Sequence, residues 1–123
     1  MLYKLSIQNY VIIDELEIDF SNKLNVVTGE TGAGKSIIVG ALGLIFGERA
    51  DSNVLVNKDR KCFVEGIFDV GNKDDVRDLL REMELDDGDH LIIRREIGKT
   101  LRCGPKTRHG WRIPLHQLRE IRY

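Results

Sequence analysis

Apolar and polar residues alternate through the first twenty positions with the two-residue period of β-strands that bury one face. Residues 2–8 place Leu5 and Ile7 on one face beside Tyr3, and residues 12–20 repeat the alternation. The apolar parity of the second run holds Ile12, Leu16, Ile18 and Phe20, together with Asp14. Because only a short connection separates the two runs, the pattern predicts an antiparallel pair of strands.

The rest of the apolar pattern predicts three further strands and two helices. The strands are at 24–28, 62–70 and 90–97, and the helices are at 35–46 and 74–83. Adjacent Val26 and Val27 are typical of a strand covered on both faces, and Gly47 is suited to end the first helix. Polar residues at 48–61 predict a loop. Residues 98–113 show no clear period, and 115–121 fit a helical turn or two.

The motif GETGAGKS lies between the strand at 24–28 and the helix at 35–46, and it fits the P-loop pattern G-x-x-x-x-G-K-[ST]. Its residues are Gly29, Glu30, Thr31, Gly32, Ala33, Gly34, Lys35 and Ser36. Glycines let the backbone approach a ligand, and a helix that begins here offers unpaired N–H groups to phosphate oxygens. We expect Lys35 to contact the β and γ phosphates of ATP, in preference to GTP, and Ser36 to ligate Mg²⁺. The alternative is a glycine-rich turn with no ligand.

Other residues with catalytic or binding chemistry fit ordinary structural roles better. Asp69 follows an apolar strand as a Walker B acid does, but no second acid follows it and its surroundings alternate like any strand. Arg94 and Arg95 are candidates for contacts with DNA or phosphate, although a solvated strand end is the preferred interpretation. The acids of the second strand fit a solvated face better than a metal site; they are Asp14, Glu15, Glu17 and Asp19.

Composition is that of an ordinary globular protein: 41% of the 123 residues are apolar and 32% are charged. The sequence has no apolar run of about 20 residues and no pattern of a secretion signal, so we expect a cytoplasmic protein without a membrane segment. Cys62 and Cys103 are then expected to be reduced thiols. The spacing of Cys103, His109 and His116 matches no common zinc site.

A net charge of −1 conceals opposite charges in two parts of the chain. Residues 1–97 contain 12 Lys and Arg against 19 Asp and Glu, a balance of −7, whereas residues 98–123 contain 7 Lys and Arg against 1 Glu, a balance of +6. A basic segment of this kind is compatible with a DNA-binding module. The DNA affinity of such a module would fall steeply with salt and would be lost on removal of 98–123.

Five segments carry a family resemblance that extends almost continuously over residues 1–97. They are Leu5-x-Ile7-x-Asn9 in the first strand, GETGAGKS, the GERAD sequence at 47–51, Phe63-Val64-Glu65 with Phe68-Asp69, and LIIRREI at 91–97. In these features the sequence resembles the RecN family of bacterial DNA repair proteins, in the SMC-like branch of the ABC ATPases.

The resemblance implies an α/β P-loop NTPase fold. This chain would be the incomplete N-terminal lobe of an ABC/SMC-type ATPase head, an antiparallel β-sheet with the P-loop strand and its helix. The resemblance also implies ATP and Mg²⁺ as cofactors, with residues 29–36 as the Walker A part. In the family, two heads dimerise around two ATP molecules, and hydrolysis changes how the protein engages DNA in double-strand break repair by recombination. We therefore expect a head-to-head homodimer, DNA as a partner and a nucleoid-associated protein.

The sequence departs from the family pattern at one helix position and in one block. Gly40 stands where the family usually has Asp, which concerns helix packing more than phosphate binding. Residues 98–113 do not resemble the family, although similarity returns at 115–121. We interpret 1–97 as the N-terminal lobe and 98–123 as a divergent basic tail, produced by truncation or by compensating frameshifts. If frameshifts are the cause, another reading frame of the gene restores family-like residues in this block.

The segments that the family uses for hydrolysis are expected beyond Tyr123. They are the glutamine loop, the coiled coil, the signature motif, Walker B and the catalytic glutamate. Because positioning and electrostatic stabilisation supply most of phosphoryl-transfer catalysis, we expect no catalytic residue in this fragment and negligible ATPase activity. The missing part would also cover apolar surface that is left exposed here. A small stand-alone P-loop NTPase or kinase is less favoured, because only Asp69 could be its Walker B acid.

Overall fold

An antiparallel sheet forms the centre of the computed structural model, which describes residues 1–30, 34–50, 52–85, 88–98 and 106–107. Its strands lie in the order β2-β1-β3-β4-β5. The strands are β1 (Leu2–Tyr10), β2 (Ile13–Asp19), β3 (Cys62–Asp69), β4 (His90–Ile97) and β5 (Lys106–Thr107). The helices are α1 (Lys35–Ile45) and α2 (Asp74–Glu82), with a 3₁₀ turn at Ser52–Val54.

The predicted antiparallel pair at the N-terminus is confirmed as β1 and β2. Leu5 lies opposite Ile18 and Ile7 lies opposite Leu16, so the apolar faces of the two strands coincide. Leu5 and Ile7 are fully buried. Burial of such side chains stabilises the pair, because each removes an apolar surface from water.

Two side chains that the alternation placed with this apolar face are instead exposed. Tyr3 is 53% exposed, because the register between β1 and β3 shifts between Leu2 and Lys4. The ring of Tyr3 makes an edge contact with His90 at the end of the sheet. Ile12 is 74% exposed, since it lies in the turn before β2 begins.

Helix α1 covers the apolar face of the sheet with its C-terminal half. Ala41, Leu44 and Ile45 are buried, in one core cluster with Val64 of β3 and Ile93 of β4. The helix follows the predicted period and ends one residue earlier than expected, with Phe46 as its C-cap. The predicted strands at 62–70 and 90–97 and the helix at 74–83 are confirmed to within one residue at their ends.

The strand predicted at 24–28 is wrong for the described structure, which shows no regular secondary structure there. Leu24, Val26 and Val27 are 82%, 71% and 50% exposed. A strand exists only where a neighbouring strand accepts and donates its backbone hydrogen bonds, and none of the described strands pairs with this segment. The sequence correctly identified strand-forming residues, but the described part of the chain supplies no partner for them.

The described part of the basic tail is limited to β5. Lys106 and Thr107 pair with Arg94 and Ile93 at the edge of β4. The helical turn predicted at 115–121 lies outside the described residues, as do Cys103, His109 and His116.

The loop that follows α1 is attached to β1 by the side chain of Asn9. This residue is 1% exposed and adopts a left-handed backbone conformation with φ of 54°. Its amide nitrogen donates hydrogen bonds to the carbonyls of Asn57 and Arg60, both at 2.9 Å. Its carbonyl oxygen accepts a hydrogen bond of 2.7 Å from the backbone N–H of Asn57. One buried side chain therefore satisfies three backbone groups of the loop.

We predict that Asn9→Ala lowers the free energy of unfolding by about 3 kcal/mol, because it removes three hydrogen bonds, each contributing about 1 kcal/mol, between β1 and the loop. Urea unfolding followed by circular dichroism measures this change. Asn25→Ala is the matched control, since exposed Asn25 exchanges two hydrogen bonds with the backbone of Ser21. The control should cost less than about 1 kcal/mol. Equal losses in the two variants would contradict the role given to Asn9.

Candidate nucleotide site at the start of helix α1

The described part of the GETGAGKS motif consists of its two ends. Gly29 and Glu30 are exposed and lie in a segment without regular secondary structure. Gly34 is the N-cap of α1, and the helix begins at Lys35. Thr31, Gly32 and Ala33 lie outside the described residues. The predicted arrangement of a glycine loop that opens a helix is therefore present at its helical end.

The first turn of α1 has the features of an anion-binding helix end. Its first backbone hydrogen bond runs from the N–H of Ile38 to the carbonyl of Gly34, at 3.1 Å. The N–H groups before Ile38 have no partner within a helix, and the positive end of the helix dipole lies here. Among the described residues, none caps this end through its side chain, and the first turn of the helix contains no acidic residue. Lys35 is half-buried and Ser36 is exposed, so both can reach a ligand.

Gly34 holds a backbone conformation that other residues rarely adopt. Its φ is 106° and its ψ is −17°, in the left-handed region. A side chain there would be strained even though a Cβ would meet no atom within 4 Å. The turn into the helix therefore favours glycine because of its backbone conformation and not because of a lack of space.

The opposite end of α1 is closed by backbone hydrogen bonds. The N–H of Gly47 donates to the carbonyl of Leu44 at 3.2 Å, and the N–H of Glu48 donates to the carbonyl of Gly43 at 2.9 Å. With Gly47 at φ of 92°, this is the Schellman arrangement that ends many helices. The prediction that Gly47 ends the helix is confirmed.

Gly40 brings α1 into close contact with the end of β1. A Cβ at this position would lie 2.7 Å from the hydroxyl of Tyr10. Tyr10 is 6% exposed, and burial raises the pKa of its phenol, which keeps the group neutral at neutral pH. The absence of a side chain at Gly40 thus leaves room for the hydroxyl of Tyr10 beside the helix.

Arg95 is buried, which corrects the interpretation of Arg94 and Arg95 as a solvated strand end. Arg95 is 7% exposed and donates a hydrogen bond of 3.3 Å to the carbonyl of Leu44. Arg94 faces the other side of the sheet, 4.1 Å from the ring centre of Phe63, and pairs with Glu65 at 3.8 Å. Alternation along β4 contained this information, since Arg95 shares its parity with Leu91, Ile93 and Ile97.

Asp69 lies far from the predicted phosphate site. Its neighbour Phe68 contacts Phe46, with ring centres 6.1 Å apart, so the end of β3 lies beside the C-terminal end of α1. A helix of 11 residues is about 16 Å long, which separates Asp69 from Lys35 and Ser36. The carboxylate of Asp69 accepts a hydrogen bond of 3.0 Å from the N–H of Gly71. Its geometry is that of a strand end rather than a Walker B acid.

The acidic face of β2 is a solvated surface, as the alternation indicated. Lys4 pairs with Glu17 at 3.2 Å and with Asp19 at 3.8 Å, and Arg60 pairs with Asp14 at 3.2 Å. Within the described ranges, no group of three or more His, Cys, Asp or Glu could hold a metal ion.

The described residues also contain a cavity and a buried thiol. A shallow cavity of about 140 Å³, lined by Ser6, Glu65 and Arg94 among others, lies on the sheet face away from α1. It therefore does not belong to the phosphate site. Cys62 is fully buried, and burial raises the pKa of its thiol to about 11, so it is protonated and unreactive at neutral pH.

Comparison with known proteins defines the class of this chain. A family model described as an AAA domain matches residues 4–106. A solved structure described as structural biochemistry of ATP-driven dimerization and DNA stimulated activation of SMC ATPases aligns with a TM-score of 0.71 at 20% identity. The alignment covers 98% of this chain and 76% of that chain. The chain therefore belongs to the AAA domain family, with the fold of the N-terminal lobe of an SMC/ABC-type ATPase head.

The relatives within this class are DNA repair proteins named RecN. The chain is 41% identical over 97 residues to RecN of Xylella fastidiosa (strain Temecula1), an alignment that covers 79% of this chain and 17% of that protein. It is 38% identical over 122 residues to RecN of Bacillus subtilis, covering 98% and 21%. The sequence is thus a homologue of RecN, and it spans about a fifth of the length of these curated relatives. The resemblance drawn from the motifs is confirmed.

The helices in the described ranges are α1, α2 and the 3₁₀ turn at Ser52–Val54. None of them is both long enough and apolar enough to cross a bilayer.

We predict that Gly34→Ala and Gly88→Ala destabilise the chain similarly but differ in their effect on MgATP binding. Gly88 has φ of 102° and equally open surroundings, but it lies in the turn before β4. Each alanine should cost about 1–2 kcal/mol of unfolding free energy through left-handed strain. Only Gly34→Ala should weaken MgATP binding, by about tenfold, because it alters the turn that presents the helix N–H groups. Urea unfolding and nucleotide titration measure the two effects, and equal affinities would contradict the assignment.

Proposed function

We propose that this chain binds MgATP at residues 29–36, as the Walker A part of a RecN-like ATPase that acts in DNA double-strand break repair and recombination. The observation that carries the proposal is the N-terminus of α1, which begins immediately after a left-handed Gly34 within the P-loop motif. Membership of the AAA domain family and similarity to DNA repair proteins named RecN support it.

Each residue of the motif has a distinct role in this proposal. Backbone N–H groups of Gly29, Glu30, Thr31, Gly32, Ala33 and Gly34 surround the phosphate oxygens as an anion nest. The ammonium group of Lys35 contacts the β and γ phosphates, and the hydroxyl of Ser36 ligates Mg²⁺. When bound, Mg²⁺ supplies positive charge between the phosphates. The exposure of Ser36 supports this role, because its hydroxyl is free of the core.

We further propose that these residues alone hold ATP without hydrolysing it. Hydrolysis requires a group that orients the attacking water, and the position of Asp69 beside the far end of α1 does not suit that task. The same position argues against the stand-alone NTPase or kinase, for which Asp69 was the available Walker B acid. In the whole protein, the remaining catalytic groups would come from outside this chain.

The whole protein is proposed to act as a head-to-head homodimer on DNA, as a cytoplasmic, nucleoid-associated protein. Support comes from the structural neighbour, whose description refers to ATP-driven dimerization and DNA stimulated activation of SMC ATPases. DNA binding through the basic tail at 98–123 is the second candidate function. The charge balance of +6 in that segment favours it.

We predict that Lys35→Ala weakens MgATP binding at least about tenfold, because it removes the cation that faces the β and γ phosphates. Ser36→Ala should instead abolish the gain in affinity that Mg²⁺ provides. Titration of a fluorescent ATP analogue, with Mg²⁺ and with EDTA, separates the two effects. Lys58→Ala, which removes an exposed lysine of the loop after α1, is the control and should bind as the unaltered chain does. Unchanged affinity in both motif variants would refute the site.

We predict that the 123-residue chain turns over ATP more than about tenfold slower than a typical complete head, because it lacks the groups that position water. Phosphate release assays with saturating MgATP measure the rate, and Lys35→Ala gives the background. Turnover within tenfold of a complete head, lost in Lys35→Ala, would show that the chain contains its own catalytic groups.

A further inference from the structure

The charged side chain of Arg95 is buried on β4, where a charge is unfavourable unless polar partners surround it. It is 7% exposed and lies between Ile93 and Ile97, which are each 3% exposed. A guanidinium group stays charged in proteins, and burying a charge is unfavourable unless polar partners replace the lost water. The surroundings of Arg95 must therefore provide such partners.

The C-terminal end of α1 provides one of them. The terminal Nη1 of Arg95 donates to the carbonyl of Leu44 at 3.3 Å. Carbonyls in the last turn of a helix lack partners within the helix and carry the negative end of its dipole. Helix α1 has no basic residue of its own in its last turn. Strand β4 therefore supplies the cation that the end of this helix would ordinarily carry itself.

The hydrogen bond between Arg95 and Leu44 balances the negative end of the helix dipole, and it also holds helix α1 in position along its axis. The carbonyl of Leu44 also accepts the hydrogen bond from Gly47 that closes the helix. Arg95 is thus attached to the last turn of the helix, while the buried side chains of Ala41 and Ile45 hold the helix against the sheet. A displacement of this end would be transmitted through a rigid helix of 11 residues to Gly34 and Lys35.

We propose that Arg95 is a positioning residue for the phosphate site, which it serves from the opposite end of α1. It holds the helix end against β4 and so determines where the N–H groups of the first turn lie relative to the loop at 29–34. This inference rests on the proposed binding of MgATP. It assigns Arg95 no contact with the nucleotide.

The test uses the full 123-residue chain with Arg95→Lys, Arg95→Gln and the control Ile93→Val. Lysine keeps the charge without the planar group, whereas glutamine keeps a donor without the charge. Ile93→Val loses core packing on the same strand and face but keeps the hydrogen bond from Arg95 to Leu44. Thermal midpoints are measured for all variants, and MgATP affinity is measured well below the lowest midpoint. Hydrogen exchange of the amides at 35–38 is measured without nucleotide.

We expect Ile93→Val to lower the midpoint and to leave MgATP affinity within about twofold of the unaltered chain. Arg95→Gln should weaken MgATP binding about tenfold and Arg95→Lys about threefold, because a displaced helix end misplaces the phosphate contacts. Exchange at 35–38 should be faster in both arginine variants than in the control. If Arg95 has a purely structural role, its variants lower the thermal midpoint. Their MgATP affinity and amide exchange at 35–38 then remain like those of Ile93→Val.

A folded Arg95→Gln variant that binds MgATP as the unaltered chain does would overturn the inference. If Arg95→Gln does not fold, the MgATP affinity of Arg95→Lys tests the inference, and an affinity equal to that of the unaltered chain would overturn it. Failure of the unaltered chain to bind MgATP would refute the proposed function instead. In that case the exchange rates at 35–38 still test whether Arg95 holds the start of the helix.

Discussion

A helix that leaves its first N–H groups free for a ligand loses the capping interactions that usually stabilise that end. In the described residues, the contacts that stabilise helix α1 lie mainly at its C-terminal end. The Schellman hydrogen bonds at Gly47, the cation of Arg95 and the contact between Phe46 and Phe68 all lie there. Gly34, directly before the helix, has no side chain with which to cap its open end. In the described residues, the two ends of the helix are thus stabilised unequally, as the proposed phosphate site requires.

Two polar side chains on the apolar face of the sheet support this arrangement. Asn9 of β1 and Arg95 of β4 are both nearly inaccessible to solvent. Asn9 donates to two backbone carbonyls, and Arg95 donates to the carbonyl of Leu44. Arg95 attaches the end of α1 to the sheet, and Asn9 attaches the loop that follows it. Hydrogen bonds of buried polar groups are directional, so they restrict the arrangement of their elements more than apolar packing does. The chain after the phosphate motif is therefore tied to the sheet at two successive points.

The sequence predicted most of the fold because local periodicity and burial agree in most elements. Alternation located β1, β2, β3 and β4, and the helical period located α1. Prediction failed where a residue's position depends on something outside its own segment. Tyr3 is exposed through a register shift that involves β3, and the predicted strand at 24–28 requires partners that the described chain does not supply.

Arg95 shows a different reason for failure, since its parity already placed it with Leu91 and Ile93. The prediction for Arg95 rested on its charge and not on the alternation along β4. The carbonyl that permits its burial belongs to Leu44, which lies 51 residues away in sequence. The motif itself was predictable because its chemistry is local: the glycine turn and the helix start are adjacent in sequence. The contact between Arg95 and the far end of α1 joins residues that are distant in sequence, and it became visible only in the structure.

The exposed segment at 24–28 has a consequence for how this chain behaves in concentrated solution. Its apolar side chains belong to a strand-forming sequence that no described strand pairs. An unpaired segment of this kind is a template for β-pairing between copies. A net charge of −1 provides little electrostatic repulsion to oppose such association. We therefore expect any self-association of the isolated chain to begin at these five residues, which directly precede the GETGAGKS motif.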